Sequence, residues 1–455
     1  MNKSKDMHKA GWADWPYFKR LMELCYADPG FIEKFISSPA SVIRDAGLIL
    51  DETVAKEAVE IIFCKSSMEK SNNLYLRIAG EVIANVHTKI HRRFQLNQVV
   101  DPKFRSWYYR QRGKIFFESS INRKNAGLVY VPVSFELTEG CSMHCAFCCF
   151  KTDKLKDCFP YSEENAALFQ KILLKSKEIL GNFSGSGICY FATEPFDNPG
   201  YELFLQDYFK VYGYYPQTTT AKAAKDPKRA KALIRMLGEE HLKYAALRFS
   251  IYSKEQLYQI HQQFSPEELA KVELVLNNPE SLNMYSFAGR ARELRGKLPD
   301  PKLTDQGSSV CTIGFVVNMV KKNILLTAPR RTDETHPMGM KIFDTVTFTD
   351  EISYETCMRE LIDKWMKIEI PKTEKLELGS FITYKMDGDY VRIQGDNIHR
   401  TIKMSKACRR CFLMMSEDRY TMEQAFEKIQ PSEMERQTII EKLQVLFDAG
   451  YLEPR

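Results

Sequence analysis

Residues 133–150 read Val-Ser-Phe-Glu-Leu-Thr-Glu-Gly-Cys-Ser-Met-His-Cys-Ala-Phe-Cys-Cys-Phe. An apolar, β-branched run, which predicts a buried strand, ends here at Gly140. Three cysteines follow in a C-x3-C-x2-C spacing, at Cys141, Cys145 and Cys148. A tight loop of three thiols directly after a strand is what a cubane iron–sulfur cluster requires. Three ligands to four irons would leave one iron open for a small molecule.

A zinc site is the alternative interpretation of the same cysteines. Structural zinc needs four ligands, usually as two pairs, and no second cysteine pair lies near this stretch. His144 is the residue that would complete a mononuclear site, and Cys149 is an extra thiol that would compete as a ligand. Packing without any metal is the third interpretation, because free cysteine often behaves as a small hydrophobe.

The motif resembles that of the radical S-adenosylmethionine (SAM) superfamily. The resemblance implies that Cys141, Cys145 and Cys148 hold one [4Fe-4S] cluster, whose open iron chelates the amino and carboxylate groups of SAM. One electron from the cluster would cleave SAM, and the resulting 5′-deoxyadenosyl radical would abstract a substrate hydrogen. It also implies that Phe147, the aromatic residue before the third cysteine, lies against the adenine.

Length and composition are those of a globular protein of two or three domains. The chain has 455 residues, of which 44% are hydrophobic and 27% charged. A net charge of +6 over this length is too weak to indicate a nucleic-acid surface. No apolar run reaches the roughly 18 residues that span a membrane, so we expect no membrane partner.

The cysteine content predicts one cluster in a reducing compartment. The chain has twelve cysteines and a polar start unlike a secretory segment, so we expect a cytoplasmic protein without a disulfide scaffold. Removing the three motif cysteines from twelve leaves nine, which show no paired block for an auxiliary cluster. These nine are Cys25, Cys64, Cys149, Cys158, Cys189, Cys311, Cys357, Cys408 and Cys411.

The first 127 residues are predicted to form a helical N-terminal region. Residues 12–63 show helical periodicity, and Asp28-Pro29 marks a helix start with proline at the first position. This block resembles the leader region of precursor peptides related to nitrile hydratase, which implies a leader mimic or a leader-binding element; a plain helical domain is the alternative. The basic and aromatic stripe at 103–112 is predicted to be a solvated helical face.

Apolar runs alternate with helical patterns between residues 128 and 320. This βα repeat predicts an α/β fold with a parallel sheet covered by helices. Radical SAM enzymes have a partial (βα)6 barrel, and the resemblance implies such a barrel over residues 128–345. The predicted strands are 129–135, 187–192, 215–219, 245–251, 272–277 and 312–318.

Active-site groups of such barrels lie at the carboxyl ends of the strands. The second strand is followed by Ala-Thr-Glu-Pro, where the family usually has Gly-Gly-Glu-Pro. The resemblance implies that Thr193 and Glu194 hold the SAM ammonium, since a carboxylate forms charge-assisted bonds to such a group. It implies that Arg248 and Ser250 face the SAM carboxylate or ribose, and that Asn277 contacts adenine or ribose.

Residues 311–345, together with Ala-Thr-Glu-Pro-Phe-Asp-Asn-Pro at 192–199, resemble the peptide epimerases of proteusin pathways. Those enzymes abstract a peptide Cα hydrogen and return one to the opposite face from a cysteine thiol. This chain has Arg330 close to the position where the family has its cysteine. Either Cys311 or Cys357 then supplies the hydrogen, or the radical reaction ends differently.

The C-terminal part is predicted to be a winged helix at 376–455, after a linker and helix at 346–375. A hairpin with an Asp-Gly turn near Gly388 precedes three helical stretches. This order resembles the RiPP recognition element, the domain that binds the leader of a ribosomally made, modified peptide (RiPP) as an added strand. Cys408 and Cys411 lie i, i+3 on one helix, and packing is their predicted role.

Two classes of function remain open from the sequence. The first is a radical SAM enzyme of RiPP maturation, acting on a precursor peptide with a leader and reduced by a flavodoxin- or ferredoxin-type donor. Cα epimerisation of L- to D-residues is its expected reaction, and another backbone or side-chain modification, such as cleavage, crosslinking or desaturation, is the alternative. The second class is a non-catalytic metal protein that docks a peptide or DNA.

Overall fold

The chain is a mixed α/β structure in a computed structural model, with helices around several small sheets. The strands of the described residues form no closed barrel. The description covers the chain apart from residues 1, 64–71, 94–97, 119–129, 243–246, 283–284, 287, 295–303, 306–307, 309, 380, 396–397, 418–419 and 455. For residues 2–12, 85–93, 239–242, 285–286, 294 and 304–305 it covers the backbone alone.

Helices make up the N-terminal quarter and cover the sheets elsewhere. None of those in the described part of the chain has both the length and the apolar composition that a membrane crossing requires. The α-helices are α1 Asn2–Ala27, α2 Pro29–Ser37, α3 Pro39–Asp45, α4 Glu52–Phe63, α5 Leu74–Arg93, α6 Pro102–Glu118, α7 Glu163–Leu180, α8 Tyr201–Tyr212, α9 Pro227–Leu242, α10 Lys254–Gln263, α11 Pro266–Leu269, α12 Glu351–Trp365, α13 Lys406–Ser416, α14 Met422–Ile429 and α15 Glu433–Asp448.

The strands are short and lie mostly in the middle and C-terminal parts. They are β1 Val131–Glu136, β2 Thr138–Glu139, β3 Asp157–Cys158, β4 Thr218–Thr220, β5 Leu247–Ile251, β6 Glu273–Leu276, β7 Tyr285–Ser286, β8 Thr304–Asp305, β9 Thr312–Asn318, β10 Asn323–Pro329, β11 Met340–Thr347, β12 Leu376–Leu378, β13 Thr383–Asp387, β14 Tyr390–Gly395, β15 Ile398–Lys403 and β16 Leu452–Pro454.

Parallel pairing organises the central region, as the βα pattern predicts. β1 pairs with β9, and β4, β5 and β6 form a second parallel sheet. The predicted strand at 187–192 is reduced to one parallel bridge from Ser134 to Ile188. The other five predicted strands are confirmed as β1, β4, β5, β6 and β9, although residues 129 and 245–246 lie outside the described part.

The sixth predicted strand has a neighbour that the sequence did not indicate. β9 lies between β1 and β10 in a sheet of order β1-β9-β10-β11, so its partner is the first strand rather than the fifth. β10 and β11 form an antiparallel extension that the βα pattern missed. No residue of β11 is fully buried, so this strand lacks the buried apolar face by which the sequence pattern predicts a strand.

The N-terminal region folds as predicted into consecutive helices. The Asp28 carboxylate caps α2 by accepting a hydrogen bond from the Gly30 backbone N–H, and Pro29 occupies the first position. Phe18, Phe35 and Val59 are buried in a small core between α1, α2 and α4.

The prediction of a solvated face at 103–112 holds for one side of α6, where Arg105, Tyr109 and Arg112 are exposed. Trp107, Tyr108 and Arg110 of α6 are buried, because this helix packs between β9, β10, α12 and α15. The Arg110 guanidinium lies 4.3 Å from the centroid of the Phe447 ring, so a basic side chain is accommodated in the core through an aromatic face. The basic-aromatic stripe therefore belongs to a helix with one buried and one exposed side.

The C-terminal part contains the predicted hairpin and helices. β13 and β14 pair around Gly388, whose φ of +56° suits the tight turn, and a third strand, β15, extends this sheet. Helices α13, α14 and α15 match the three predicted stretches, and β12 pairs with β16 at the end of the chain. Cys408 and Cys411 are buried in the core of this part, as predicted.

Candidate functional site

The cysteine loop, defined as residues 141–153, leaves the carboxyl end of β1. Gly140 directly precedes the loop and has a φ of +83°. A Cβ at this position would lie 2.1 Å from the Lys154 carbonyl oxygen. Only glycine fits this close approach of two chain segments. The Cys141 N–H donates to the Asp153 carbonyl, which closes the loop at its base.

The three motif thiols influence one another within this loop. Burial first, and then negative charge on Cys141, Cys148 and Glu194, together raise the pKa of Cys145 to about 12. The Met143 N–H points at the Cys141 sulfur from 3.5 Å. Within the described residues, no three or more His, Cys, Asp or Glu side chains form a group that could hold a metal ion.

His144 occupies a strained position in the loop. Its φ of +47° lies in the left-handed region, which costs a non-glycine residue on the order of 1 kcal/mol. Its Nδ1 atom lies 3.4 Å from the guanidinium of Arg290. The ring is therefore engaged with a cation, which disfavours it as the fourth ligand of a zinc ion.

A buried carboxylate ties the start of the loop to the second strand region. Asp197 accepts hydrogen bonds from the backbone N–H of Ser142, at 2.8 Å, and from the Ser142 hydroxyl, at 2.7 Å. Lys222, which follows β4, forms an ion pair with the same carboxylate. Sequence reasoning missed Asp197, although it lies three residues after Glu194 in the quoted Glu-Pro-Phe-Asp motif.

A cleft of about 260 Å³ opens beside the cysteine loop. It brings together Cys145 and two residues that the resemblance assigns to SAM, Phe147 and Asn277. Asn277 follows β6, whose carboxyl end faces the same region as that of β1. The cleft is lined by Met143, His144, Cys145, Ala146, Phe147, Lys225, Tyr252, Asn277 and Pro279.

Glu194 lies next to this region but is held by the protein itself. Its carboxylate accepts hydrogen bonds from the Phe196 N–H at 3.0 Å, the Ala221 N–H at 2.8 Å and the Thr220 hydroxyl. Burial raises its pKa, and these donors oppose that effect. Glu194 thus connects its own turn to the end of β4. The adjacent Thr193 is partly buried.

Arg248 and Ser250 occupy alternate positions of β5 and project from the same face. Leu247, Phe249 and Ile251 between them are buried on the opposite face. The Arg248 guanidinium pairs with Glu273 of β6 at 3.0 Å. Burial alone would lower the pKa of Arg248, but Glu273, Tyr190 and Cys311 together outweigh burial and raise it.

The face of β5 that carries Arg248 and Ser250, called the inner face below, adjoins side chains of the sheet formed by β1 and β9. The Ser134 and Thr312 hydroxyls are hydrogen-bonded at 2.6 Å between β1 and β9. Cys311, directly before Thr312, interacts electrostatically with Arg248 of β5. Cys311 and Arg248 therefore interact between the two sheets, whereas Ser134 and Thr312 join neighbouring strands of one sheet.

The two candidate hydrogen donors occupy different places. The Cys311 carbonyl accepts from the Val131 N–H, so Cys311 lies beside the start of β1, at the opposite end of that strand from the cysteine loop. Burial raises the pKa of its thiol. Cys357 lies on α12, where its thiol donates to the Thr347 carbonyl at 3.3 Å. The structure brings Cys311 to the inner face and does not bring Cys357 there.

Arg330 belongs to a buried polar network at the end of β10. Its guanidinium donates to the Gln111 side-chain oxygen at 2.9 Å and pairs with Glu453 of β16 at 3.3 Å. The side chain is 3% exposed. Its partners come from α6 and the last strand, so it connects the central and C-terminal parts.

Comparison with known proteins gives one curated relative to report. The chain is 32% identical over 278 residues to the uncharacterized protein y4wI of Sinorhizobium fredii, a match that covers 59% of this chain. The chain spans about half the length of that relative, 53%. No protein-family model matches the chain. No solved structure shows significant similarity.

Proposed function

We propose that the chain is a radical SAM enzyme that modifies a ribosomally made precursor peptide, with Cα epimerisation as its reaction. The observation that carries the proposal is the shared cleft, in which Cys145 of the C-x3-C-x2-C loop adjoins Phe147 and Asn277. An adenosyl cofactor on an open iron needs a cavity that begins at the thiols and offers both an aromatic face and polar groups.

The cluster is proposed from the spacing of the thiols. Within the described residues no three or more His, Cys, Asp or Glu side chains form a group that could hold a metal ion, so the proposal rests on the C-x3-C-x2-C spacing and on the adjoining cleft. A four-iron cluster is larger than one ion, so it suits three thiols spread over a loop. When bound, the cluster and SAM would supply one-electron chemistry and hydrogen-atom abstraction.

The chain's own residues would bind and orient the reactants. Phe147 would pack against adenine and Asn277 would donate or accept hydrogen bonds at the same side of the cleft. Arg248 and Ser250, on the partly exposed face of β5, would face the SAM carboxylate or ribose. We infer that the two parallel sheets correspond to a partial (βα)6 barrel in which the last strand lies beside the first.

Either Cys311 or Cys357 would supply the returned hydrogen, and the mass measurement below decides between them, because neither lines the cleft: Cys311 lies at the opposite end of β1 from the cysteine loop, and Cys357 lies on α12. A hydrogen-atom donor must keep its S–H bond, and burial raises the pKa of Cys311, which keeps the thiol protonated near neutral pH. The S–H bond of the donor would break as a new Cα–H bond forms on the opposite face of the substrate carbon. The sulfur radical left behind needs one electron and one proton, which we assign to a flavodoxin- or ferredoxin-type donor and solvent.

The test is a mass measurement in deuterated water. The chain, reconstituted without oxygen with iron and sulfide, is given SAM, a reductant and its precursor peptide. Epimerisation predicts one added mass unit per modified residue, because a donor thiol exchanges with solvent. Loss of this gain in Cys311→Ala or in Cys357→Ala would identify the donor.

Two other outcomes separate the alternatives. Loss of hydrogens or of a fragment from the peptide would replace epimerisation by another radical modification. Failure of the wild-type chain to take up iron and sulfide, or to cleave SAM, would contradict the enzyme proposal and favour a non-catalytic docking protein.

We assign leader binding to the three-stranded sheet of the C-terminal part. β15 is an edge strand in the order β13-β14-β15, and an extended peptide can add to such an edge through backbone hydrogen bonds. Adding the precursor peptide should therefore slow amide hydrogen exchange in β15. Protection confined to other parts of the chain would contradict this assignment.

A further inference from the structure

The segment Gly289–Ala291 is locked into the cysteine loop over a sequence distance of about 140 residues. The backbone N–H groups of Arg290 and Ala291 donate to the Cys148 carbonyl at 2.9 and 3.3 Å. The Arg290 guanidinium donates to the Cys145 carbonyl at 3.1 Å and to the Thr152 carbonyl at 3.0 Å. One residue therefore contacts the start, middle and end of the loop segment that contains the second and third motif cysteines.

The approach of this segment leaves no room for a side chain. A Cβ at Gly289 would lie 2.2 Å from the Cys149 carbonyl oxygen and 3.0 Å from the Cys148 carbonyl oxygen. The φ of Gly289 is +53°, which also favours glycine. Gly289 thus lets the backbone that leads into Arg290 approach the carbonyl groups of Cys148 and Cys149.

Arginine suits this position for two separate reasons. Its planar guanidinium can donate to several acceptors in fixed directions, which a lysine ammonium cannot reproduce. It also carries a permanent positive charge beside a loop that would hold three thiolates. Charge and hydrogen bonding around an iron–sulfur cluster set its reduction potential, and a nearby cation favours the more negative, reduced form.

We infer that Arg290 is a positioning residue of the cysteine loop. Its hydrogen bonds fix the loop in the shape that receives a cluster, and its charge raises the reduction potential of that cluster. The claim about the reduction potential rests on the proposed function. The claim about the shape of the loop concerns the protein without any cluster.

The first experiment measures the metal-free protein. Amide hydrogen exchange is followed over residues 141–153, which include the hydrogen-bonded N–H groups of Cys141 and Cys148. We expect exchange to become at least about tenfold faster in both Arg290→Ala and Arg290→Lys, because neither variant keeps the guanidinium contacts. Arg292→Ala is the matched control, since Arg292 is exposed and donates to the Asp333 carbonyl instead.

The second experiment measures the reconstituted protein. Arg290→Ala should load less iron and sulfide than wild type, and the clusters that do form should have a lower midpoint potential. Arg290→Lys should restore the wild-type potential because it keeps the charge, but should not restore slow exchange in the loop. Arg292→Ala should match wild type in both measurements.

The outcomes distinguish this inference from the proposed function. Wild-type exchange in Arg290→Ala, or a wild-type potential in its loaded form, would overturn the inference even if the enzyme cleaves SAM. If wild-type protein takes up no cluster, the proposed function fails, whereas faster exchange in the metal-free variants would still support the positioning role. Arg290→Lys keeps the exchange test usable if the alanine variant does not fold.

Discussion

Arg330 of the segment after β10 and Glu453 of β16 form a buried ion pair, with 3.3 Å between guanidinium nitrogen and carboxylate oxygen. Glu453 also pairs with Lys114 of α6, a side chain that is 1% exposed. Three parts of the chain that are far apart in sequence therefore meet at one carboxylate. This ion pair accounts for Arg330 without a role in hydrogen transfer.

Arg330→Ala should destabilise the protein by about 3–5 kcal/mol, because removing one partner leaves buried charge uncompensated. Chemical denaturation measures this change. Arg359→Ala is the control, since Arg359 pairs with Glu355 on the surface of α12 and such exposed pairs contribute only about 0.3–0.5 kcal/mol. SAM cleavage per mole of folded protein should stay at the wild-type level. Equal stability losses in the two variants would contradict the prediction.

The same network predicts a loss of stability in acid. Burial alone would raise the pKa of Glu453, but Lys114, Arg330 and Lys341 outweigh burial and lower it from 4.5 to about 2. A carboxyl with a lowered pKa in the folded state stabilises the protein fully above its unfolded pKa, and this contribution disappears as the pH falls through the folded pKa. The relevant window is therefore between pH 4.5 and about pH 2.

Glu453→Gln provides the measurement for this window. Glutamine resembles the protonated carboxyl, so the difference in unfolding free energy between wild type and variant should be largest near neutral pH and shrink towards pH 2. A difference that does not change with pH would mean that the carboxylate charge does not act through this network.

Glu194 should behave as an anchor of the loop rather than as a direct ligand. Glu194→Ala removes the acceptor for the N–H groups of Phe196 and Ala221, and each buried donor without a partner costs about 1–3 kcal/mol. Glu194→Gln keeps one acceptor oxygen and should be closer to wild type in denaturation experiments.

SAM affinity separates the two roles of Glu194. A hydrogen bond to a charged group is worth about 1.5–3 kcal/mol, so a carboxylate in direct contact with the ammonium would make Glu194→Gln lose roughly tenfold or more in affinity. We expect a smaller loss, measured by titration of SAM onto the reconstituted protein. A larger loss would favour direct contact.

Sequence reasoning predicted elements whose signal is local. The strand before Gly140, the hairpin around Gly388 and the helix starting at Pro29 are each specified by neighbouring residues, and each is present. β11 was missed because none of its residues is fully buried, so it lacks a buried apolar face. The buried side of α6 was missed because its partners are distant in sequence, such as the Lys367 carbonyl that accepts from Arg110.

In the candidate site, too, the residues close together in sequence could be predicted and the distant ones could not. The three thiols and Phe147 are adjacent in sequence, so their spacing alone indicates a shared loop. Arg290 reaches that loop from about 140 residues later, and no spacing in the chain encodes such a contact. The pairing of β9 with β1 is likewise set by packing, since strand order follows from tertiary contacts rather than from the pattern of each strand.

The N-terminal helices are expected to support the cleft as well as to form their own core. The Asn278 side chain is fully buried and donates to the Ala27 carbonyl at the end of α1, at 2.8 Å. The Leu282 N–H donates to the Tyr26 carbonyl at 2.8 Å. The loop between them carries Pro279, which lines the cleft, so the end of α1 holds one wall of the cavity.

Asn278→Ala should therefore weaken SAM binding besides lowering stability by about 1–3 kcal/mol, because the Ala27 carbonyl loses its buried donor. Asn165→Ala is the matched control, since the Asn165 amide donates to the Pro160 carbonyl on the surface at the same distance. Deletion of residues 1–63 should weaken SAM binding more strongly than Asn278→Ala. Wild-type SAM affinity in Asn278→Ala and in the deletion variant would show that the helices act independently of the cleft. Leader affinity that the deletion leaves unchanged would remove the leader-binding hypothesis for residues 1–63.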